Sequence, residues 1–347
     1  IKEAPNGDIY VCGAFTSAGG VANTKGIARW SKANQVWQAV GNPVTGATIN
    51  YICTMAFDAN GDLYVGGNFT NLAGVSGANY IAKYTVATGI WSKVGTAPDY
   101  HVYTIIISPE GTIYIGGLFF EAGGILDCKR IAYFDNIAND WRPLSTGLND
   151  YVNALKFAPD GRLLIGGYFT NADGVNGDYI CYWNGTAFKS FNEFGATELN
   201  NIVHSIDVNP NGTIIIGGEF TDAGGDSNAD GVAAWRGNNW GALLAGGLYF
   251  ENGNGTVHKV FCNSKGDIIV SGKFDQAGIL VVNRVAISVN GAWQRFDIDL
   301  PESTTPIIAL LEASDGTLYL GGEFSTTVSG QNAISSVVAL NLNVSSG

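Results

Sequence analysis

Gly61-Asp-Leu-Tyr-Val-Gly-Gly-Asn-Phe-Thr70 is the stretch that decides the fold, because the chain rewrites it seven times. The copies begin at Gly7, Gly61, Gly111, Gly161, Gly212, Gly266 and Gly316, at spacings of 54, 50, 50, 51, 54 and 50 residues. Self-similarity at a nearly fixed period near fifty residues belongs to the blades of a propeller. Ahead of each organising Gly stands a turn signal: Asp58-Ala-Asn60, Pro109-Glu110, Pro159-Asp160, Pro210-Asn211. Such residues close a tight hairpin between two strands.

Working outward, the run after the Gly is a second strand, as in Leu63-Tyr-Val65, Leu163-Leu-Ile165 and Ile214-Ile-Ile216. It reads as continuously apolar, as expected of a strand buried on both faces. Gly-Gly then precedes an unvarying Phe at positions 15, 69, 119, 169, 220, 274 and 324. Glycine inside a strand marks close approach of backbone. A third strand follows, as in Ile27-Ala-Arg-Trp30 and Ile131-Ala-Tyr-Phe134. A fourth is opened by Trp37, Trp91, Trp141, Phe188, Trp240 or Trp293. Four antiparallel strands per repeat predict an all-β chain, a seven-bladed β-propeller of four-stranded blades. An open solenoid is the alternative. The repeats span 1–48, 49–98, 99–148, 149–199, 200–253, 254–303 and 304–347, read as a single domain. The seventh lacks an aromatic-led fourth strand and the first opens partway into its own. A short last blade, an exposed edge available for docking and membership of a longer protein are therefore expected.

Phe15-Thr-Ser-Ala-Gly-Gly20 and Gly66-Gly-Asn-Phe-Thr70, each followed by an Ile-Ala-(Arg/Lys)-aromatic strand, resemble one propeller repeat in particular. It is the Gly-Gly-x-Phe-Thr-x-Ala-Gly-Gly repeat of bacterial secreted and surface propellers. It is similar also to fungal cortical marker propellers and distantly kelch-like. The resemblance covers the whole chain and implies an extracellular or cell-surface binding or scaffold module. The sixth and seventh repeats depart from it at Ser271 and in the loop 326–330.

Composition fits this reading. Apolar residues make up 46% and charged residues 14% of 347, with 48 Gly and 9 Pro. Net charge is −12, which opposes a nucleic-acid partner, since a phosphate backbone calls for a basic stripe. No apolar run of eighteen residues is present, so no membrane-inserting helix is expected. Five cysteines fall out of register with the repeat, which predicts small buried thiols rather than a disulfide framework.

Alternation of strands places the long, variable loops Ser17–Lys25, Asn71–Asn79, Asn171–Asp178, Asp222–Gly231 and Ala245–Gly255 on one face. That face is the candidate binding surface. It would carry Tyr80, Tyr100, Tyr151, Tyr179, Tyr249 and Phe250, rings that suit a glycan or protein partner. Each ring could equally fill space between blades. Asp226-Ser-Asn-Ala-Asp-Gly231 matches the opening half of a calcium loop, so Asp222, Asp226, Asn228 and Asp230 are candidate calcium ligands. The closing Glu is missing, and a solvated polar loop is the plainer reading. His204 and His258 share one register on adjacent blades, with Tyr103 and Asn153 there in the third and fourth, and read as core or channel residues.

No His-Glu-x-x-His, Gly-x-Ser-x-Gly, phosphate loop or dinucleotide fingerprint occurs, so no catalytic residue is assigned and a non-enzymatic chain is expected. Two alternatives stand beside the binding module: a building block of a virion or surface appendage, and a glycan-active enzyme.

Overall fold

The computed structural model describes residues 1–194, 199–244, 246–250, 253–295, 307–325 and 335–341. Among them there is no α-helix, only 3-10 turns at Leu72–Gly74 and Phe191–Phe194. No described helix is long and apolar enough to cross a membrane. Contacts divide the chain into two compact units. Unit 1 is Ile1–Leu155 with Asn171–Val175; unit 2 is Lys156–Thr170 with Asn176–Gly347.

In unit 1 the repeat yields one four-stranded antiparallel sheet at a time. The first holds Lys2–Glu3, Ile9–Cys12, Ile27–Ser31 and Val36–Gln38, paired in chain order. The second holds Thr48–Phe57, Leu63–Thr70, Ile81–Thr85 and Ile90–Lys93. The third holds Val102–Ile107, Ile113–Gly117, Ile131–Asp135 and Asp140–Pro143. The division between units falls inside the next strand, Val152–Phe157.

Unit 2 repeats the plan. Leu163–Gly167 pairs with Ile180–Trp183, which pairs with Phe188–Ser190. Val203–Val208, Ile214–Gly218, Val232–Trp235 and Trp240–Ala242 form the next sheet. Thr256–Cys262, Ile268–Lys273, Val285–Val289 and Ala292–Arg295 form another. The last has three strands among the described residues, Ile307–Glu312, Thr317–Ser325 and Ser335–Asn341. The loop 326–330 and residues 342–347 lie outside the described residues.

The motif now has a physical cause. Every organising Gly, from Gly7 to Gly316, takes a left-handed φ between 80° and 90°, the hairpin conformation that a β-carbon opposes. The second strands are buried on both faces, as in Leu163-Leu-Ile165 and Ile214-Ile-Ile216. Phe69, Phe119, Phe169, Phe220 and Phe274 are fully buried, worth about 2–3 kcal/mol each. Phe15 is half-buried, and the side chain of Phe324 lies outside the described residues. Within unit 1 the outer-strand indoles also reach the preceding sheet. Trp91 Nε1 donates to Val40 O at 3.0 Å, and Trp141 Nε1 to Val94 O at 3.2 Å.

Candidate functional site

The site begins with the Gly-Gly pair. A β-carbon on the first glycine would crowd the next sheet's innermost strand: at Gly116 it would stand 2.5 Å from Val152 Cγ1, and at Gly217 2.5 Å from Val257 Cγ1. On the second it would strike backbone. The distances are 2.4 Å from Tyr51 O at Gly67, 2.2 Å from His101 O at Gly117 and 2.0 Å from Ile202 O at Gly218. That carbonyl is pushed inward because the innermost strand bulges there. Pairing slips between Ile52 and Thr54, Val203 and Ser205, and Val257 and Lys259, and at Gly116/Gly117. Cys53, Tyr103, His204 and His258 are thereby extruded from the ladder. A bulge re-aims the side chain it extrudes.

A second register comes from the residue just before each third strand. Its N–H donates to the carbonyl of the repeat's Phe and its own carbonyl accepts from the second Gly; Arg130 does this with Phe119 and Gly117 at 2.8 and 2.9 Å. Gly26, Tyr80, Arg130, Tyr179, Gly231 and Arg284 all hold this place with φ from 60° to 77°. Large side chains kept in a left-handed backbone are held there by their surroundings, a pattern that gathers at functional sites.

In unit 1 the two registers meet in a continuous aromatic surface. Tyr51 Oη lies 3.1 Å from His101 Nδ1. Tyr100, exposed, stacks on His101 with centroids 4.0 Å apart and planes 19° from parallel. Tyr80 approaches both Tyr100 and His101, at 6.1 and 5.7 Å. Tyr103 continues the series to Tyr151 at 6.4 Å. Arg130, 6% exposed, lays its guanidinium over Phe120 at 3.8 Å and near Tyr151 at 5.6 Å, and its Nε has no hydrogen-bond partner. Desolvation lowers the His101 pKa, keeping the ring neutral at pH 7, and raises those of Tyr51 and Tyr103. The rings themselves are therefore uncharged, and the charge beside them comes from Arg130 with Asp99 and Asp150 acting on it.

In unit 2 two of the extruded residues are histidines, while the last sheet extrudes Ile308. His204 Nε2 lies 2.9 Å from Glu219 Oε1, and the His204 and His258 rings are 5.5 Å apart. Tyr168 meets His204 edge-on at 6.2 Å. Desolvation, then the neighbouring His204, pulls His258 down to about 4, against the opposing charge of Glu219.

The structure thus brings Tyr80, Tyr100 and Tyr151 together, whereas Tyr179, Tyr249 and Phe250 belong to unit 2. Tyr179 occupies the left-handed register. Tyr249 Oη accepts from Gly247 N at 3.4 Å and hydrogen-bonds Asp230. Phe250 lies beneath Lys273 and Arg284, at 4.9 and 5.3 Å. The acidic loop is not gathered into a cation shell. Asp226 accepts from Ala242 N at 2.9 Å and Asn228 N at 3.0 Å, which lowers its pKa. Asp222 accepts from Gly225 N at 2.8 Å, and Asp230 is buried with its pKa raised by desolvation. Among the described residues no cluster of three or more His, Cys, Asp or Glu is placed to hold a metal ion. Sequence reasoning missed Tyr51, His101, Phe120 and Arg130 as site residues. Tyr51, His101 and Tyr151 stand 50 residues apart, a shared register that was available as a signal.

The family model for the Rax2 C-terminal beta propeller domain matches residues 95–180. No curated relative matches the chain. Among solved structures the chain is similar to a virginiamycin B lyase from Staphylococcus aureus, at 10% identity and TM-score 0.53, over 84% of this chain and 85% of that one. A chain in the mitotic checkpoint complex is similar at 16% identity and TM-score 0.58, over 92% and 82%. YCF48 bound to D1 peptide is similar at 13% identity and TM-score 0.55, over 92% and 86%. A second lyase structure, of streptogramin B lyase, reaches TM-score 0.57 at 12% identity, over 92% and 88%. These likenesses, with the sheet-per-repeat plan, make the fold a β-propeller. They also correct the expectation of a non-enzymatic chain: lyases use this fold. Missing motifs were no ground for that expectation, because a site assembled from one extruded residue per sheet leaves no local sequence motif.

Proposed function

We propose that the chain is a binding module, acting outside the cell or at its surface, that takes an extended segment of a partner protein on the aromatic surface of unit 1. The carrying observation is the exposed Tyr100 ring stacked on neutral His101, continued through Tyr51, Tyr80, Tyr103 and Tyr151. Rigid, partly exposed rings with hydroxyls at their rims give contact area at low entropic cost. The fold's use by a protein solved with a peptide supports a protein segment over a glycan. The intact chain is to be screened against a peptide array and a glycan array side by side. The doubly substituted Tyr100→Ala, Phe120→Ala chain is screened with it. Both rings are exposed, so its melting temperature should stay unchanged. Its affinity for the peptide hits should fall at least tenfold. Equal binding by wild type and variant removes the reading, and hits confined to the glycan array transfer the surface to a sugar.

The His204–Glu219–His258 constellation favours a second reading, proton transfer. Glu219 holds His204 by its ring nitrogen beside the neutral His258, the arrangement of a general base and its orienting carboxylate acting on a substrate C–H or O–H. The S. aureus lyase has also been solved with quinupristin, in a catalytically inactive form that has one histidine replaced by alanine. Quinupristin is thus the first substrate to try, followed by mass spectrometry, with wild type and His204→Ala. Turnover lost in the variant supports the reading; no turnover in wild type, or turnover indifferent to the substitution, removes it.

A further inference from the structure

The loop between the fifth and sixth sheets and the loop after Ile268–Lys273 fold on each other into a small second sheet. Its strands lie in the order Gly253–Asn254, Leu248–Phe250, Gln276–Ala277 and Leu280–Val281. Leu248 and Ala277, partners across it, are fully buried, and Asp275 N donates to Tyr249 O at 2.9 Å. Among the described loops this is the one built as a four-stranded platform. Sites carried on hydrogen-bonded elements hold their geometry better than sites on free loops.

On this platform Phe250 is shared by two cations. Lys273 Nζ stands 4.9 Å and the Arg284 guanidinium carbon 5.3 Å from its ring centroid. Neither cation forms an ion pair with a carboxylate of the described residues, and Arg284 Nη1 is buried with no hydrogen-bond partner. Arg284 occupies the left-handed register with φ 60°, clamped by Gly272 N and Phe274 O at 3.0 and 3.1 Å. At the two matching places in the preceding repeat stand Glu219 and Gly231, so the local charge changes sign within one repeat. In a chain with 18 Lys and Arg against 30 Asp and Glu, two cations over one ring with no ion pair to a described carboxylate are a local exception. An incoming carboxylate supplies a counter-charge to both, and the planar guanidinium of Arg284, a half-buried side chain, takes a carboxylate by direct hydrogen bonds. The platform's tip, the turn that joins Gln276–Ala277 to Leu280–Val281, leaves Ile279 and Val281 exposed, at 94% and 65%.

We infer that the Phe250–Lys273–Arg284 platform is a binding site for carboxylates of an acidic, partly aliphatic segment of a partner protein. It belongs to unit 2 and does not depend on the aromatic surface of unit 1. The exposed aliphatic tip argues for a polypeptide over a uronate polymer, which has no aliphatic side chain to offer.

The test uses the intact chain and a fluorescein-labelled peptide of alternating Glu and Leu, with Gln–Leu and Lys–Leu peptides and polygalacturonate as comparisons. Variants are Lys273→Gln and Arg284→Gly; glycine adopts the left-handed backbone without strain, so the second substitution keeps the fold. The Glu–Leu peptide should bind in preference to the other two peptides and lose affinity as salt rises. Each variant should weaken binding at least tenfold, with an unchanged melting temperature and unchanged binding at Tyr100. Three results would overturn the inference. One is equal affinity for the Glu–Leu and Gln–Leu peptides. Another is undiminished binding by both folded variants. The third is competition by polygalacturonate at lower carboxylate concentration than the peptide.

Discussion

A β-carbon at position 117 would stand 2.2 Å from the His101 carbonyl oxygen, closer than any side chain tolerates, whereas one at Gly111 would meet nothing within 4 Å. The two glycines therefore serve different ends, one to admit a bulge and the other to turn a hairpin at φ 90°. Gly111→Ala should cost about 1 kcal/mol, the strain of a left-handed alanine. Gly117→Ala should cost about 2–4 kcal/mol, because backbone must shift. Urea unfolding of both variants separates these, and equal losses would show that the bulge does not need the glycine. His258 gives a pH prediction at the same scale. Its pKa lies near 4 in the fold against 6.5 for a free imidazole, with His204 and Glu219 facing it. The unfolded chain then binds the proton more readily, so stability is full above pH 6.5 and declines as pH falls toward 4. The part due to this residue is about 1–3 kcal/mol after allowing for its partial exposure. His258→Gln should flatten the melting temperature across that window; an unchanged slope would place the acid sensitivity elsewhere.

At the scale of elements, the sheet-per-repeat plan was legible because its causes are local. A hairpin Gly, an apolar run, a Phe and an outer Trp recur in order, and each does its work within one repeat or against the next. The bulge was not legible. It is a two-against-one mismatch between strands, and only the neighbouring carbonyl reveals why the second glycine must be bare. The same limit hid the site. No motif marked His101, and its meaning comes from Tyr51 a sheet earlier and Tyr100 stacked on it. The calcium-like loop shows the converse, since its spacing suits a cation while its Asp226 oxygens hold the backbone of Asn228 and Ala242. Trp141 tests how sheets are joined. Its indole N–H reaches Val94 O at 3.2 Å from a fully buried ring. Trp141→Phe keeps an aromatic filler but removes that donor and some volume, and should cost about 2–3 kcal/mol. A loss under about 0.5 kcal/mol in calorimetry, within the range of an ordinary surface substitution, would mean the latch is incidental.

For the whole molecule, the five cysteines bear on where such a chain can work. Cys12, Cys53, Cys128, Cys181 and Cys262 are all free. Only Cys128 and Cys181 are buried residues, against the expectation of buried thiols throughout; Cys12 and Cys262 are half-buried and Cys53 is exposed. Desolvation of the sulfur still raises the pKa of every one, to about 12 for Cys128 and Cys262. Cys53, extruded at the bulge, directs its thiol to Val102 O at 3.3 Å. Thiolate is the reactive form, so at pH 7–8 these groups present almost none of it, and the fold depends on neither an oxidising nor a reducing setting. A surface or secreted role is thus chemically open to a chain with unpaired cysteines. The expected outcome is fivefold thiol reactivity toward Ellman's reagent in denaturant. The native chain should react slowly and far short of that count. Reductant should leave the melting temperature where it was. Three titratable thiols in denaturant, with a melting temperature that falls on reduction, would instead reveal a disulfide and overturn this account of how the cysteines are kept.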